Sequence, residues 1–413
     1  MRSNKQDRIL ILGGESRAAL AGIRSFARLG HAVDIISHQK RSICSVSKHI
    51  KNQVVSPNPN TDFDEFQQWL MRLVARSKPT MIIPTTNAML FHTMELDDRL
   101  RENAILPMSR KDITLKLLDK NYVRELANNL GIDTPRSTLL TGKSPRSVSL
   151  NESLHSFPFP AVIKPQLSTF KMDGELYNCK ANFVDSKEDV LKEFELSPPN
   201  GLKGALCLLQ ERIQGTSVVV CALAAQGELL THFTYERLLE KPPSGGSTVL
   251  AESIATDSKL IAQVRELLNS LSWTGVVAIE FIRTPAPESK HYLINIIPRF
   301  WDSMSHATAC GRDFPALLYS LASISTSEAL DQFKQSTKAL PEYVVGKRYR
   351  WLVGTIDHAL LRVFDERLPA MKSIFLQNSL RLLQSKGTVN DTWQWGDSRP
   401  FFIELEHWLT DLV

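Results

Sequence analysis

Lys164 closes an apolar run, Ala161-Val162-Ile163, directly before Pro165. An ammonium placed there is costly to bury unless an anion meets it or its stem carries the charge out to water; a phosphate is the partner that explains it best. Lys120, in LLDKNYVRELANNLGIDTP, reads on its own as a solvated helix residue. A second set of polar groups sits on two later apolar segments. Glu280 interrupts GVVAIEFIRT, and Asn295 interrupts LINIIPRF, which runs on into Arg299, Phe300, Trp301 and Asp302. If the two segments pair as a hairpin, polar groups on opposed strands converge on one site. An acid, an amide and a guanidinium near a strand end suit a metal–phosphate site. The same residues also allow a plainer reading, a buried Glu–Arg pair that only fixes the hairpin.

These residues depend on elements that the hydrophobic pattern outlines. From residue 8 to about 108, short apolar runs (RILIL, HAVDII, MIIP, AILP) alternate with helical stretches, the first spanning Glu15 to Leu29. That alternation predicts a parallel sheet covered on both faces. The first turn, Gly13-Gly14-Glu15-Ser16, could offer backbone N–H groups to an anion, although a tight turn that needs glycine for its geometry is favoured. G-x-G-x-x-G is absent, and the second strand ends in Ser37 and His38 with no acid for a ribose, which argues against a dinucleotide site. Helices are predicted over 109–119 and 121–130, then a Pro-, Ser- and Thr-rich connector over 131–156. A small unit follows from Phe157 to about Gln210, with Ser168 to Asn178 read as a mobile loop. Further on come LCLLQERIQG, VVVCALAAQGEL, a helix from Leu260 to Leu271, the hairpin, and a helix over Phe314 to Ala322 leading into a polar, Ser-rich stretch.

Composition narrows the function classes. The chain has 413 residues, 43% hydrophobic and 23% charged, which suggests about three domains of ordinary globular type. A net charge of +5 with no basic block does not call for a nucleic-acid partner. The longest apolar stretches, such as Val218 to Ala225, are far too short to cross a bilayer, and the N-terminal run Ile9 to Leu12 is too short for a secretory leader. Five scattered cysteines without a CxxC pair imply neither a disulfide framework nor a zinc site, so a reducing cytoplasm is expected.

Taken in order, ILILGGESRAALAGIRSFARLGH, IIPTTNAML, LLDKNYVRELANNLGIDTP, FPAVIKP, LLQERIQG, ERLLEKPPSGGSTVLAES, WTGVVAIEFIRT, NIIPRFWDS, CGRDFPALLYSLA and RYRWLVG cover about residues 8 to 355. This ordered set resembles the ATP-grasp superfamily, specifically its predicted ATP-dependent carboxylate–amine ligases. The resemblance implies an α/β chain whose ATP-binding lobes are α+β. A pre-ATP-grasp, Rossmann-like parallel-sheet domain would span 1–115, and a two-lobed ATP-grasp domain 116–330, with its small lobe at about 157–210. Residues 331–413 would form a C-terminal extension without an assigned role. By the same resemblance, Lys120 and Lys164 match lysines on ATP phosphates, and Glu211 with the backbone at Ile213 matches the hinge that reads adenine. Arg237 and Arg299 match positions that hold phosphate or a carboxylate substrate. Glu280 matches a magnesium ligand, with magnesium or manganese as the metal. The implied partners are small-molecule carboxylates and amines, and a homodimer is common in the family although nothing in this chain requires one.

The chain departs from the pattern at the second hairpin strand. Where the family typically has E-I-N-P-R-F-W-G-S, this sequence has Asn295-Ile296-Ile297-Pro298-Arg299-Phe300-Trp301-Asp302-Ser303. Residues two apart on a strand share a face, so both changes fall on one metal-binding surface. Asn295 still offers a carbonyl oxygen, whereas Ile297 offers none; metal binding is expected to be weakened, with Asp302 as a candidate replacement ligand. Two functions follow as expectations. One is a ligase that activates a carboxylate as an acyl phosphate for attack by an amine. The other is a catalytically degenerate ATP-grasp protein that binds a nucleotide or a partner without turnover. A biotin-type carboxylase is disfavoured, since the loop at Ser168–Asn178 holds only Gly174 and no carrier domain is recognisable.

Overall fold

The structure is a computed structural model that describes residues 6–141, 154–196, 201–243, 245–363 and 387–411. Its first part is a parallel sheet in the order β3-β2-β1-β4, formed by Asn52–Val55, Ala32–Ser37, Arg8–Leu12 and Met81–Pro84. Ile9 through Leu12 are all buried, as expected of a strand covered on both faces. Ile9 and Ile11 pack with Ala18, Ile23 and Phe26 of α1 (Arg17–Arg28), while Leu10 and Leu12 pack with Phe66, Leu70 and Val74 of α2 (Phe63–Ser77). Ser16 caps α1 by accepting from the Ala19 N–H at 3.0 Å. The predicted strand AILP reduces to a single bridge between Ile105 and Met81; Pro107 lacks the N–H that would continue the ladder.

Helices α3 (Asn87–Glu95), α4 (Asp97–Arg101), α5 (Lys111–Leu118) and α6 (Lys120–Asn129) lead to the small lobe. Its sheet runs β5-β10-β6-β9, from Ser137–Thr141, Leu206–Glu211, Ala161–Pro165 and Asn182–Val184. Part of the predicted connector is therefore an edge strand, β5, which pairs antiparallel with β10. Residues 142–153 of that connector lie outside the described residues. The segment read as a mobile loop is a hairpin, β7 (Thr169–Met172) and β8 (Glu175–Asn178). Its turn is Asp173-Gly174, both at positive φ (51° and 86°), the two-residue chemistry that suits a tight hairpin.

The large lobe is a seven-stranded sheet, β15-β14-β11-β12-β13-β16-β17. Its strands are Thr216–Ala225 (β11), Glu228–Lys241 (β12), Ser247–Ser253 (β13), Gly275–Arg283 (β14), His291–Ile297 (β15), Arg348–Arg350 (β16) and Val389–Asn390 (β17). The predicted hairpin is β14–β15, antiparallel. Strand alternation divides its residues between two cores. Val218, Val220 and Ala222 of β11 and Val277, Ile279 and Phe281 of β14 pack with the helix Ser258–Ser270. Val219, Cys221, Val276 and Ala278 face the opposite way, toward α1 and the helices Met304–Ala309 and Phe314–Ala322. The polar stretch after Ala322 is also helical, Ser327–Lys338, capped by Thr326 on the Ala329 N–H.

The C-terminal residues return to the first domain. Arg24 of α1 bonds Asp397 Oδ2 at 2.9 Å and the Asp391, Thr392 and Asp397 carbonyls, and Arg17, seven residues away on the same helix, bonds Asp391 Oδ2 at 2.8 Å. Both arginines are buried. All five cysteines are buried and free, and among the described residues no helix is long and apolar enough to cross a membrane.

Candidate functional site

The small-lobe sheet has two faces. Ala161 and Ile163 of β6, with Cys207 and Leu209 of β10, enter the lobe's own core. Lys164 therefore projects from the other face, where its Nζ donates to the Ile294 carbonyl of β15 at 3.0 Å. Asp119 draws Lys120 to the same place. Its Oδ1 caps α6 through the Asn121 and Tyr122 N–H groups, and its Oδ2 accepts from Gln166 Nε2 at 2.6 Å, tying the helix start to the end of β6. Lys120 Nζ then donates to Ser168 Oγ (2.7 Å) and to the Pro165 carbonyl (3.0 Å). A narrow cavity between the lobes is lined by Lys120, Gln210, Ile294 and Asn295 among others. Burial and, after it, the charge of Lys164 push Lys120 down to about 7. Burial likewise pushes Lys164 down to about 8, against the pull of Glu280.

Across the cleft, Glu280 lies opposite Asn295 in the β14–β15 register, on the face of the sheet that carries Val219. Tyr235 of β12 flanks Val219 from the other side, and Arg237 follows two residues on. Arg237 Nη2 is paired with Glu280 Oε1, its Nη1 reaches the Gly246 carbonyl at 3.2 Å and Glu240 Oε2 at 3.4 Å, and its buried Nε has no partner. Burial works against this guanidinium, but Glu280 and its other neighbours hold its pKa above the ordinary value. Glu240 is pushed up by burial, with Arg237 opposing. Asn295 Nδ2 donates to Glu280 Oε2 at 3.0 Å. Both carboxylate oxygens of Glu280 thus face donors of the chain itself.

The remaining predicted residues divide. Arg299 turns to the first domain, its Nε on Asn87 Oδ1 (2.8 Å) and its Nη1 on the Thr85 and Phe300 carbonyls (3.1 and 2.7 Å). Burial lowers its pKa, with Asp302 and Glu280 opposing. Glu211 ends β10, where its N–H donates to the Arg136 carbonyl, and Ile213 lies in the crossing from β10 to β11. Gly215 in that crossing has no alternative, since a Cβ there would come within 2.2 Å of the Arg283 carbonyl oxygen. Asp302 faces Arg17 at 3.4 Å, with its side chain 44% exposed. The turn at Gly13-Gly14 is not an anion cradle, because both N–H groups donate to the Ile36 carbonyl (3.0 and 2.9 Å). Gly13 is instead needed at φ +98°, where a Cβ would meet Thr86 Cγ2 at 2.8 Å.

A protein-held magnesium or manganese ion does not fit this set. Magnesium takes oxygens in octahedral array, usually one or two carboxylates together with substrate phosphates and water, and both oxygens of the Glu280 carboxylate are already held by internal donors. Ile297, the neighbour of Asn295 on the same face, packs against the apolar core beside Ala278. Among the described residues no three acidic, histidine or cysteine side chains are placed to hold a metal.

Sequence reasoning missed Glu240, which strand alternation puts on the face opposite Arg237. Register shifts on either side of Leu239 bring the two together. It also missed Asn87 and Thr85 as the seat of Arg299, a contact between segments 212 residues apart.

No protein-family model matches the sequence, and neither does any curated protein. Solved structures do match. An L-amino acid ligase from Bacillus licheniformis shares 15% identity at TM-score 0.58, over 80% of this chain and 77% of its own. N5-carboxyaminoimidazole ribonucleotide synthetase in its ADP complex shares 16% at TM-score 0.58, over 88% and 86%. A biotin carboxylase from Campylobacter jejuni, in complex with a βγ-ATP ligand, shares 12% at TM-score 0.61, over 83% and 74%. A parallel-sheet domain followed by two antiparallel lobes, aligned over most of each chain, defines the class: this chain has the ATP-grasp fold.

Proposed function

We propose that the chain binds ATP between its two lobes and uses it to join a carboxylate to an amine through an acyl phosphate. One observation carries this reading: Lys120, Lys164, Arg237 and Glu280, from four separate elements, meet around the Ile294–Asn295 segment. Phosphoryl transfer asks mainly for positioning and charge compensation, which ammonium and guanidinium groups supply. Likeness to a solved L-amino acid ligase and to two solved nucleotide complexes supports the same reading. Lys120 and Lys164 would neutralise the phosphates, the Glu211–Ile213 segment would border the base, and Arg299 would hold the carboxylate substrate beside the first domain.

A second reading is favoured by the closed state of Glu280, whose two oxygens are both held by internal donors: nucleotide binding without turnover. One assay decides. Purified protein is incubated with ATP, magnesium or manganese, and pools of carboxylates and amines, while ADP and phosphate are followed. ADP release that requires one carboxylate supports the ligase. Nucleotide binding with no turnover across broad pools supports the second reading, and no binding at all rejects both.

A further inference from the structure

We infer that this cleft binds its nucleotide phosphates without a protein-held divalent cation, Arg237 standing on Glu280 in the metal's place. This rests on the reading of the cleft as a nucleotide site and goes beyond it, since it concerns how the negative charge is met.

Four observations combine. The hairpin acid is saturated: Glu280 Oε1 is paired with Arg237 Nη2 and Oε2 accepts from Asn295 Nδ2 at 3.0 Å. A metal entering here would have to displace a guanidinium, and charge-assisted hydrogen bonds of that kind are among the stronger ones a protein makes. The neighbouring positions supply nothing in exchange. Asn295 turns its amide nitrogen to the acid, Ile297 is an apolar side chain packed against the core, and Asp302 faces Arg17. Next, Arg237 has donor capacity left over. Its side chain is 8% exposed, its Nε has no partner, and its Nη1 contacts are long at 3.2 and 3.4 Å. A buried donor without an acceptor is unfavourable and is satisfied by an entering anion. Finally, three basic side chains stand around the one saturated acid. Lys120 lines the cavity with Ile294 and Asn295, and Lys164 donates to the Ile294 carbonyl, while Glu280 is the acid that both Lys164 and Arg237 sense. An arrangement of several basic donors around a saturated acid favours bare phosphate over a phosphate–metal–carboxylate bridge.

The test is isothermal titration of the full chain with ADP and with ATP, each in excess magnesium and in excess EDTA. The expected result is binding in both media with dissociation constants within about threefold. Magnesium tightening binding by about tenfold or more would overturn the inference and leave the nucleotide site standing. No binding in either medium would overturn the site itself, and the inference with it. The variant Asn295→Glu/Ile297→Asn rebuilds an oxygen-rich face. It should bind about tenfold more weakly in EDTA than in magnesium; a variant that stays indifferent to the metal would show that these positions do not decide the matter. Replacing the pair together, Arg237→Met/Glu280→Gln, removes both members of the buried ion pair at once. It should lose about tenfold in affinity in both media; affinity unchanged in a folded variant would remove Arg237 from the phosphate site.

Discussion

Two ammonium groups share one buried corner, and their protonation is the residue-scale handle on the site. With Lys120 near 7 and Lys164 near 8, the folded chain holds fewer protons than the unfolded chain across the interval up to the ordinary lysine value of about 10.4. Stability of the unliganded protein therefore rises with pH through that window, since the unfolded state binds more protons there. A phosphate between the lysines reverses the shift, raises both pKa values and draws protons in. At pH 8, titration with nucleotide in buffers of different ionisation enthalpy should show net proton uptake, and affinity should weaken from pH 7 to pH 9. Lys164→Met should reduce that uptake. Binding without proton linkage would mean that the phosphates do not reach these lysines.

At the scale of elements, the β7–β8 hairpin behaves as a docked element. Leu176 is 3% exposed among Phe63 and Ala88 of the first domain, its N–H donates to the Asn60 carbonyl at 2.8 Å, and Lys171 Nζ stands 3.8 Å over the Phe63 ring. The small lobe is thereby held against the first domain, beside the Ser168 hydroxyl that meets Lys120. Leu176→Glu buries a charge where an apolar side chain belongs and should release the hairpin at a cost of roughly 2–3 kcal/mol. In hydrogen exchange, amides of residues 169–178 should lose protection while those of β1 keep theirs. Equal loss in both would mean that the hairpin is part of the global core.

For the molecule as a whole, the C-terminal residues serve as a clamp on the first domain. Arg24 makes four hydrogen bonds to the Asp391–Asp397 segment, and Ser47 Oγ and the Lys48 N–H also reach the Asp397 carboxylate. Asp397→Ala leaves the Arg24 guanidinium buried and unpaired, so unfolding by urea should show a loss of about 3–5 kcal/mol. The double replacement Arg24→Leu/Asp397→Leu should recover much of it. A loss below about 1 kcal/mol for the single variant would place the contact among exposed ion pairs of little weight.

How much of this was legible in the sequence follows from the range of each interaction. RILIL, HAVDII and MIIP announced a two-sided parallel sheet because burial on both faces demands unbroken apolar runs, and the β14–β15 hairpin with Glu280 opposite Asn295 was readable from two such runs around a turn. Asp173-Gly174 was a hairpin signal in plain view, overridden by the lack of periodicity in the strands beside it. Ile297 could be recognised as a missing oxygen from residue type alone. By contrast, Arg237 on Glu280, Arg299 on Asn87 and Asp302 on Arg17 are contacts between distant segments, and Glu240 beside Arg237 depends on the register shifts at Leu239. Bulges and helix packing choose those partners, and local pattern carries no trace of them. By itself the sequence determined the long apolar strands of the first domain and the β14–β15 hairpin, which side chains could bear charge, and which ligand was lost. Tertiary structure alone decided which charges neutralise one another, because a buried ion takes its partner from whatever the folded chain brings within reach.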